Sequence, residues 1–285
     1  MKHFIFLFWG LMIAYSHDGA TQTNANVRIV SAGSAITDIL YALDAKSTLV
    51  GVDTTSQQPK NPLPDVGYHR MLSTEGVLSL RPTHLLGSSA MGNEDTLRQL
   101  KKVGVHVVQY PSGNSIDQLI HRIEAIAKIA RKPKEAGILI QKVRAQEHRL
   151  LQQQMHQNKK LKVLFLLKHS QGKLRAAGKN TSMHRIIELA GGINVAAHLN
   201  EYKPISHEAI LNMQPNVIVV TNRSYKTKQE AQSIFHKIPT LKATPAGKQK
   251  KIFVIDSHAL LGGFGIASLN EAQRFYTFLL TKKEG

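Results

Sequence analysis

The chain has 285 residues, 42% hydrophobic and 20% charged, a balance typical of a globular protein large enough for two lobes with separate cores. It has no cysteine, which excludes disulfides, thiolate metal sites and a lipid anchor on cysteine. The formal net charge is +18, so we expect an anionic ligand or an anionic membrane surface as a partner. Nucleic acid is not expected, because no compact basic run is interleaved with aromatic residues.

Residues 1–16 have the pattern of a secretory signal peptide. Lys2 and His3 supply a polar start, residues 4–13 an apolar run, and Ala14-Tyr15-Ser16 a small-x-small cleavage site. The apolar run is too short to span a membrane, and no later stretch is long enough. We therefore predict cleavage after Ser16, a polar and disordered leader over residues 17–26, and an unlipidated protein of a Gram-negative periplasm that does not span the membrane.

Residues 27–115 alternate between strand and helix patterns and are predicted to form an N-terminal lobe. Strands are expected over residues 28–31, 49–53, 84–87 and 105–110. Helices are expected over residues 35–43, capped by Ser34, and over residues 94–103, closed by Gly104. This alternation predicts a small, mostly parallel sheet.

A tyrosine motif lies within this lobe, in the segment Asp65-Val66-Gly67-Tyr68-His69-Arg70 after a proline-rich loop. A tyrosine with an arginine two residues on can offer a phenolate to a hard ferric ion, because a nearby cation favours the ionised phenol. In an extended segment His69 would point away from Tyr68. The alternative interpretation is a turn tyrosine beside a solvated arginine.

Residues 116–157 are helical in pattern and connect the two lobes. Pro133 divides them, and since proline suits a first helical turn, we predict a second helix over residues 132–157, roughly 37 Å long. Its apolar stripe contains Ala136, Leu139, Ile140, Val143 and Leu150. One long, stiff helix between lobes predicts little hinge closure around a ligand.

Residues 158–285 are predicted to form a C-terminal lobe. Strands are expected over residues 162–168, 217–221 and 251–256, with helices over residues 183–189, 229–236 and 269–281. The glycine-rich run Gly262-Gly263-Phe264-Gly265 lacks the Lys-Ser/Thr of a phosphate loop. We interpret it as a loop at the rim of the ligand cleft.

The two lobes share an internal repeat. Residues 73–86 and 206–219 both have the pattern Ser-x-Glu, aliphatic, Leu, x, Leu or Met, x, Pro and an apolar strand. In each copy the serine caps a short helix, and Glu75 or Glu208 lies in its first turn. The predicted fold class is therefore α/β, with two similar lobes of small, mostly parallel sheets joined by one long backbone helix. The ligand is expected in the cleft between the lobes.

Over about residues 27–280 the chain resembles the periplasmic haem-binding proteins of bacterial haem ABC importers, within the helical-backbone class that also carries cobalamin and ferric siderophores. The resemblance rests on several motifs together: Arg28-Ile29-Val30-Ser31-Ala32-Gly33-Ser34, Leu49-Val50-Gly51-Val52-Asp53, Gly67-Tyr68 with Arg70, Leu78-Ser79-Leu80-Arg81-Pro82, Ala177-Gly178-Lys179 and Leu189-Ala190-Gly191-Gly192-Ile193-Asn194.

The resemblance implies roles for individual residues. Tyr68 corresponds to the axial ligand of ferric haem iron, and Arg70 to a residue that supports the phenolate or a propionate. Glu75 and Glu208 correspond to the glutamates that dock on arginines of the inner-membrane permease, which works with its ATPase. We expect a monomer that carries haem as a transported ligand.

Three further residues are weaker candidates for the haem site. His169, at the end of a strand, is either a second ligand, as for two stacked haems, or a solvated or capping residue. Arg223 follows another strand and could meet a propionate, and Phe264 could lie against the porphyrin face. Relatives continue the glycine-rich loop with Pro-Arg, where this chain has Ile266-Ala267, so no propionate clamp is expected from that loop.

There are three alternatives to haem transport. A cobalamin or ferric-siderophore carrier of the same class would not need Tyr68 as a metal ligand. A divalent-metal carrier would need three or four convergent His and carboxylate ligands, and only the abundance of histidine, 14 residues, supports this alternative. An enzyme such as a haem-degrading oxygenase is not expected, because no nucleophile elbow or metal-binding histidine pair is present.

Overall fold

The computed structural model describes residues 26–58, 62–155, 157, 159–168 and 174–281. The predicted signal peptide, the leader up to residue 25 and the candidate ligand His169 lie outside the described residues. Within the described ranges, none of the helices combines the length and apolar character needed to cross a membrane.

The N-terminal lobe is built around a parallel sheet whose strands lie in the order β2 (Leu49–Val52), β1 (Ile29–Ala32), β5 (His84–Ser88) and β6 (His106–Tyr110). Strand β1 is buried along its whole length, as expected for a parallel strand covered on both faces. A short antiparallel hairpin, β3–β4, which the sequence analysis did not predict, lies outside this sheet. The described elements are, in chain order, β1 (Ile29–Ala32), α1 (Ser34–Ala42), β2 (Leu49–Val52), β3 (Gly67–Tyr68), β4 (Met71–Leu72), α2 (Thr74–Ser79), β5 (His84–Ser88), α3 (Glu94–Lys102) and β6 (His106–Tyr110).

Two helices connect the lobes, α4 (Ile116–Ala130) and α5 (Pro133–Met155). Arg131 adopts a left-handed conformation (φ 57°), which ends α4, and Pro133 then begins α5. Helix α5 has 23 residues and is therefore roughly 34 Å long. The predicted long helix is confirmed, and it begins one residue later and ends two residues earlier than expected.

The C-terminal lobe has a mixed sheet whose strands lie in the order β10 (Tyr202–Pro204), β8 (Leu174–Ala177), β7 (Lys162–Lys168), β11 (Val217–Thr221) and β12 (Ile252–Ile255). A further strand, β9 (Ile193–Asn194), pairs with β7. Strands β7, β11 and β12 are parallel, whereas β8 and β10, which were not predicted, are antiparallel. The helix predicted over residues 229–236 is broken at Ser233. The described elements are β7 (Lys162–Lys168), β8 (Leu174–Ala177), α6 (Ser182–Leu189), β9 (Ile193–Asn194), β10 (Tyr202–Pro204), α7 (His207–Met213), β11 (Val217–Thr221), α8 (Lys228–Gln232), α9 (Ile234–Lys237), α10 (Pro239–Lys242), α11 (Pro245–Lys248), β12 (Ile252–Ile255) and α12 (Ile266–Leu280).

The internal repeat is visible in the structure at the level of single residues. The hydroxyls of Ser73 and Ser206 accept hydrogen bonds from backbone NH groups three residues on, so each serine caps its helix, α2 or α7. Before each repeat proline, one residue adopts a left-handed conformation: Arg81 with φ 46° and Gln214 with φ 45°. The two copies therefore share both their helix starts and their exits towards the following strand.

Of the three hydrophobic clusters among the described residues, one lies within the N-terminal lobe and one within the C-terminal lobe, and the largest runs through both. It contains Ile36 of α1, Leu139 of α5, Phe165 of β7 and Phe275 of α12. The predicted lobe limits, residues 27–115 and 158–285, stay a prediction. The predicted α/β class with two lobes and a long connecting helix is confirmed.

The glycine-rich loop Gly262-Gly263-Phe264-Gly265 packs between the lobes, whereas the sequence predicted a loop at the rim of the ligand cleft. A Cβ on Gly263 would lie 1.5 Å from the carbonyl oxygen of Ser112, and the NH of Phe264 donates to the carbonyl of Gly113 at 3.0 Å. The Phe264 side chain has 0% exposure and belongs to the shared core. The expectation that Phe264 lies against a porphyrin is therefore corrected: its ring is enclosed by protein and does not face the cleft.

Ser34 also differs from its predicted role. Gly33, with φ 109°, precedes α1, and Ser34 is the first helical residue rather than the cap. The Ser34 hydroxyl instead donates towards the carbonyl oxygens of His258 (3.0 Å) and Leu261 (2.9 Å). The start of α1 is thereby fastened to the C-terminal lobe.

Candidate ligand cleft

A cavity of about 470 Å³ lies between the lobes, at the carboxyl ends of strands from both sheets. Apart from Tyr68, the residues of one wall come directly after strand β2 in the sequence, and those of the other wall come directly after β11 and β12. Ligand sites in open α/β sheets have this location. Tyr68 and Arg223, two residues predicted from the sequence, both line it. The lining residues are Thr54, Thr55, Ser56, Gln57, Tyr68, Arg223, Asp256, Ser257, His258 and Leu261.

The β3–β4 hairpin presents Tyr68 to the cavity. Gly67, with φ 96°, occupies a conformation that favours glycine, and its NH donates to Asp65 Oδ1 at 2.7 Å. The backbone NH of Thr54 donates to the Gly67 carbonyl at 3.0 Å, which joins the hairpin to the cavity wall. Tyr68 is half-buried and lies opposite Met71, whose side chain is 74% exposed.

Arg70 occupies the turn of this hairpin and is exposed. It lies outside the set of residues that line the cavity. The structure thus brings Tyr68 and Arg223 together at one cavity and leaves Arg70 on the surface beside it.

The wall below Tyr68 is held by Asp53, a residue whose role the sequence analysis missed. Its fully buried carboxylate accepts hydrogen bonds from the NH groups of Gly33 (2.8 Å) and Thr55 (3.1 Å) and from the hydroxyls of Thr55 and Ser56. The run Asp53-Thr54-Thr55-Ser56 after a strand was the available signal, because such residues bond to nearby backbone.

His69 packs beneath the tyrosine. It is 2% exposed, and its ring centroid lies 4.3 Å from that of Tyr68. Its Nδ1 lies 3.8 Å from Asp53 Oδ2, too far for a hydrogen bond. Burial, opposed by the charge of Asp53 and assisted by that of Arg70, lowers the pKa of His69, so the ring is neutral at pH 7.

The opposite wall carries both charge signs. The Asp256 carboxylate accepts from the Asn222 side-chain amide at 3.0 Å and, across the cleft, from that of Gln57 at 3.3 Å. The exposed Arg223 makes no ion pair with a carboxylate in the described ranges. Arg223 is therefore available to an anionic group in the cavity.

His258 joins the two walls and was not predicted. Its Nδ1 lies 3.2 Å from the carbonyl oxygen of Thr55, and its Nε2 lies 3.0 Å from Asp38 Oδ1. Thr55 and Asp38 belong to the N-terminal lobe and His258 to the C-terminal lobe. Nothing local in the sequence indicates this contact, because 220 residues separate His258 from Asp38.

The two repeat glutamates lie on the surface, away from the cavity lining. Glu75 and Glu208 are exposed in the first turns of α2 and α7, one on each lobe. Among the residues the structure describes, no group of three or more His, Cys, Asp or Glu side chains is arranged to hold a metal ion. The divalent-metal alternative gains no support from this part of the chain.

Two lobes with a polar cavity at the ends of their strands are the architecture of a ligand-binding protein. The chain matches the family described as periplasmic binding protein over residues 29–259, and it belongs to that family. It is similar to the solved structure of the periplasmic heme binding protein HutB of Vibrio cholerae, at 42% identity and a TM-score of 0.84, covering 90% of this chain and all of that chain. A periplasmic heme binding protein from Pseudomonas aeruginosa is 31% identical, with a TM-score of 0.83 and coverage of 90% and 94%.

Two curated proteins are also similar in sequence. An uncharacterized ABC transporter substrate-binding lipoprotein, YvrC of Bacillus subtilis, is 27% identical over 212 residues, covering 73% of this chain and 67% of that protein. The vitamin B12-binding protein of Yersinia pestis is 25% identical over 197 residues, covering 68% and 69%. The matches confirm the predicted fold and family, which is one of binding proteins and not of enzymes.

Proposed function

We propose that this protein captures ferric haem in the cleft between its lobes and delivers it to an inner-membrane ABC importer. The observation that carries the proposal is the cavity with a tyrosine on one wall and an arginine on the other. The similarity to two heme binding proteins at 42% and 31% identity supports haem as the ligand. The family match supports a periplasmic location.

In the proposed complex the phenolate of Tyr68 binds the ferric iron as an axial ligand. A phenolate favours the harder Fe(III) over Fe(II), so the site would select the oxidised ion. Asp53 acts as a positioning residue, because it holds the wall to which the hairpin is bonded. The neutral ring of His69 supports the tyrosine from below, and Met71, across the hairpin, offers an apolar contact to the macrocycle.

The propionates of haem are anionic and need cationic partners. Arg223 is the proposed partner inside the cavity, and Arg70 at the hairpin turn is the proposed partner at its mouth. We retain His169 as a candidate second ligand. Phe264 is not retained, because its ring is enclosed.

Delivery is proposed to use the two exposed repeat glutamates. Glu75 and Glu208 would each meet a cation of a permease with two similar halves, one contact for each lobe. Their position in first helical turns also favours a carboxylate through the helix dipole, so the electrostatic and docking roles are compatible.

A cobalamin carrier is the second candidate function. The similarity to a vitamin B12-binding protein favours it, at 25% identity. A corrin would not require Tyr68 as a metal ligand, so the two candidates differ in the expected effect of changing this residue.

The test is an absorption titration of the mature protein with hemin, comparing the wild type with Tyr68→Phe. Tyr41→Phe is the control, because the Tyr41 hydroxyl is buried without a hydrogen-bond partner. We expect a saturable Soret shift and a high-spin charge-transfer band in the wild type and the control, and loss of that band in Tyr68→Phe. No saturable binding would exclude haem and favour cobalamin. An unchanged spectrum in Tyr68→Phe would place the iron ligand elsewhere.

A further inference from the structure

The segment between the last two parallel strands of the C-terminal lobe differs in charge from its counterpart in the other lobe. Residues 222–251, between β11 and β12, contain eight Lys or Arg against one acid, Glu230, a net charge of +7. Residues 89–105, between β5 and β6, contain three Lys or Arg against two acidic residues, a net charge of +1. The first segment forms four short helices, α8 to α11, and the second forms only α3 within the described residues. The positive charge of residues 222–251 therefore lies in a segment of the C-terminal lobe that is outside the internal repeat and has no similarly charged counterpart in the N-terminal lobe.

The lysines of the four helices are exposed to solvent. A Cβ on Gly247 would lie 1.9 Å from the carbonyl oxygen of Leu241, so α11 packs closely on α10. A depression of about 460 Å³ lies among the four helices, and His236, Lys242 and Lys250 line it. We call five exposed lysines of this segment the basic patch: Lys228, Lys237, Lys242 and Lys248 in the helices, and Lys250 just after α11.

The basic patch is not neutralised by the protein itself. None of its lysines makes an ion pair with a carboxylate in the described part of the chain. Lys251, by contrast, is partly buried, lies 5.6 Å from the centre of the Phe278 ring, and is not part of the patch. Uncompensated, exposed lysines produce a positive potential that attracts an anionic surface.

The basic patch lies beside the helix that carries Glu208. Helix α10 packs against α7, and the NH of Ala246 at the start of α11 donates to the carbonyl of Pro215, just beyond α7, at 2.9 Å. If Glu208 contacts a membrane protein, as proposed above, the helices beside α7 would lie near the surrounding lipid. Helix α3, which packs against α2 in the other lobe, carries acidic residues in its first turn and basic ones in its last.

We propose that the basic patch binds anionic phospholipid headgroups of the inner membrane, an inference that rests on the docking role proposed for Glu208. The contact is electrostatic, because the patch consists of exposed lysines and the apolar Phe235 in the same helices is buried. It holds the C-terminal lobe at the membrane surface and raises the local concentration of the protein near the importer. Because exposed charges are screened by salt, the association weakens as ionic strength rises.

The test is sedimentation of the mature, ligand-free protein with vesicles of equal parts phosphatidylglycerol and phosphatidylcholine, at low salt. The variant Lys242→Gln/Lys248→Gln/Lys250→Gln is compared with Lys134→Gln/Lys142→Gln/Arg149→Gln, which removes the same charge from exposed positions of α5. We expect the patch variant to bind at least about tenfold more weakly than the wild type, and the α5 variant to bind nearly as well. Hemin titrations and circular dichroism of both variants check that the fold and the cleft are intact.

Equal losses in the two variants would overturn the inference, because binding would then follow net charge and not the patch. Absence of binding to anionic vesicles would also overturn it. Binding only to the permease in neutral-lipid nanodiscs, lost in the patch variant, would assign the patch to a protein partner instead. Vesicle binding without hemin binding would contradict the proposed function alone, and the reverse result would contradict this inference alone.

Discussion

The imidazole of His258 lies 3.0 Å from the carboxylate of Asp38 and connects the two lobes beneath the ligand cavity. Both ring nitrogens face acceptors, since Nδ1 meets the Thr55 carbonyl. Burial lowers the pKa of His258, but the hydrogen bond and charge of Asp38, the Thr55 carbonyl and the charge of Asp256 outweigh it, so the net shift is upward. The ring is thus favoured as a cation that donates to both partners.

This contact predicts a pH-dependent contribution to stability. The pKa of His258 is higher in the folded protein than its ordinary value of 6.5, so its contribution is complete below about pH 6.5 and is lost as the pH rises through the folded pKa. We expect the difference in unfolding free energy between the wild type and His258→Gln to shrink as the pH increases from about 5 to about 9. Urea unfolding across this range measures it.

The wild type must be compared with the His258→Gln variant, because other histidines change the unfolding free energy with pH in the opposite direction. Burial lowers the pKa values of His69 and His84, so their contributions fall as the pH decreases. Both residues are present in the two proteins, and their effects cancel in the difference. A difference that stays constant with pH would show that His258 does not act as a cation.

The close approach at Gly263 predicts a large effect of a single methyl group. Gly263→Ala would place Cβ against the Ser112 carbonyl at a φ of 99°, and we expect a loss of more than about 2 kcal/mol in unfolding free energy. Gly137→Ala is the control, because this helical glycine of α5 has nothing within 4 Å of an added Cβ, and it should gain about 0.5–1 kcal/mol. Equal effects at the two positions would contradict the packing described here.

Arg223 is predicted to affect ligand binding without affecting the fold. Arg223→Gln should weaken hemin binding about tenfold, because one charge-assisted contact to a propionate is lost, and should make binding less sensitive to salt. Lys226→Gln, an exposed change three residues away that does not touch the cavity lining, should leave both quantities unchanged. If the two variants bind hemin equally, Arg223 is not the propionate partner.

The two repeat glutamates are predicted to separate transport from binding. Glu75→Gln/Glu208→Gln should bind hemin as the wild type does but fail to support growth on haem as the iron source. Glu94→Gln is the matched control, since Glu94 is an exposed first-turn carboxylate of α3 outside the repeat. Unimpaired growth of the double variant would rule out the docking role.

Features that depend on local pattern were predictable from the sequence. Strands Lys162–Lys168 and Val217–Thr221 have the expected bounds, and the repeat revealed two lobes because both copies contain the same cap and the same apolar spacing. Tyr68 was found through its motif. The antiparallel strands β8 and β10 were missed, because β-pairing in their segments depends on partners distant in the chain.

Features that depend on contact between the lobes were not predictable. The Gly-Gly-Phe-Gly run has the composition of a surface loop, yet the guanidinium of Arg122, itself buried, donates to the carbonyl of Phe264 142 residues away. Burial lowers the pKa of Arg122 to about 10. The partners of Phe264 come from the end of the N-terminal lobe and from helix α4, and those of His258 come from the N-terminal lobe, so no pattern within a short stretch of sequence predicts them.

The core that Ile36, Leu139 and Phe275 share has a consequence for how the protein loses its structure. Because the largest apolar cluster is formed jointly by both lobes, the connecting helices and α12, unfolding of one lobe would expose apolar surface of the other to water, although each lobe also has a smaller cluster of its own. Calorimetry should therefore show a single cooperative transition, and a chain cut between α4 and α5 should yield two fragments that fold only when mixed. Topologically the protein is double, but thermodynamically it is one unit.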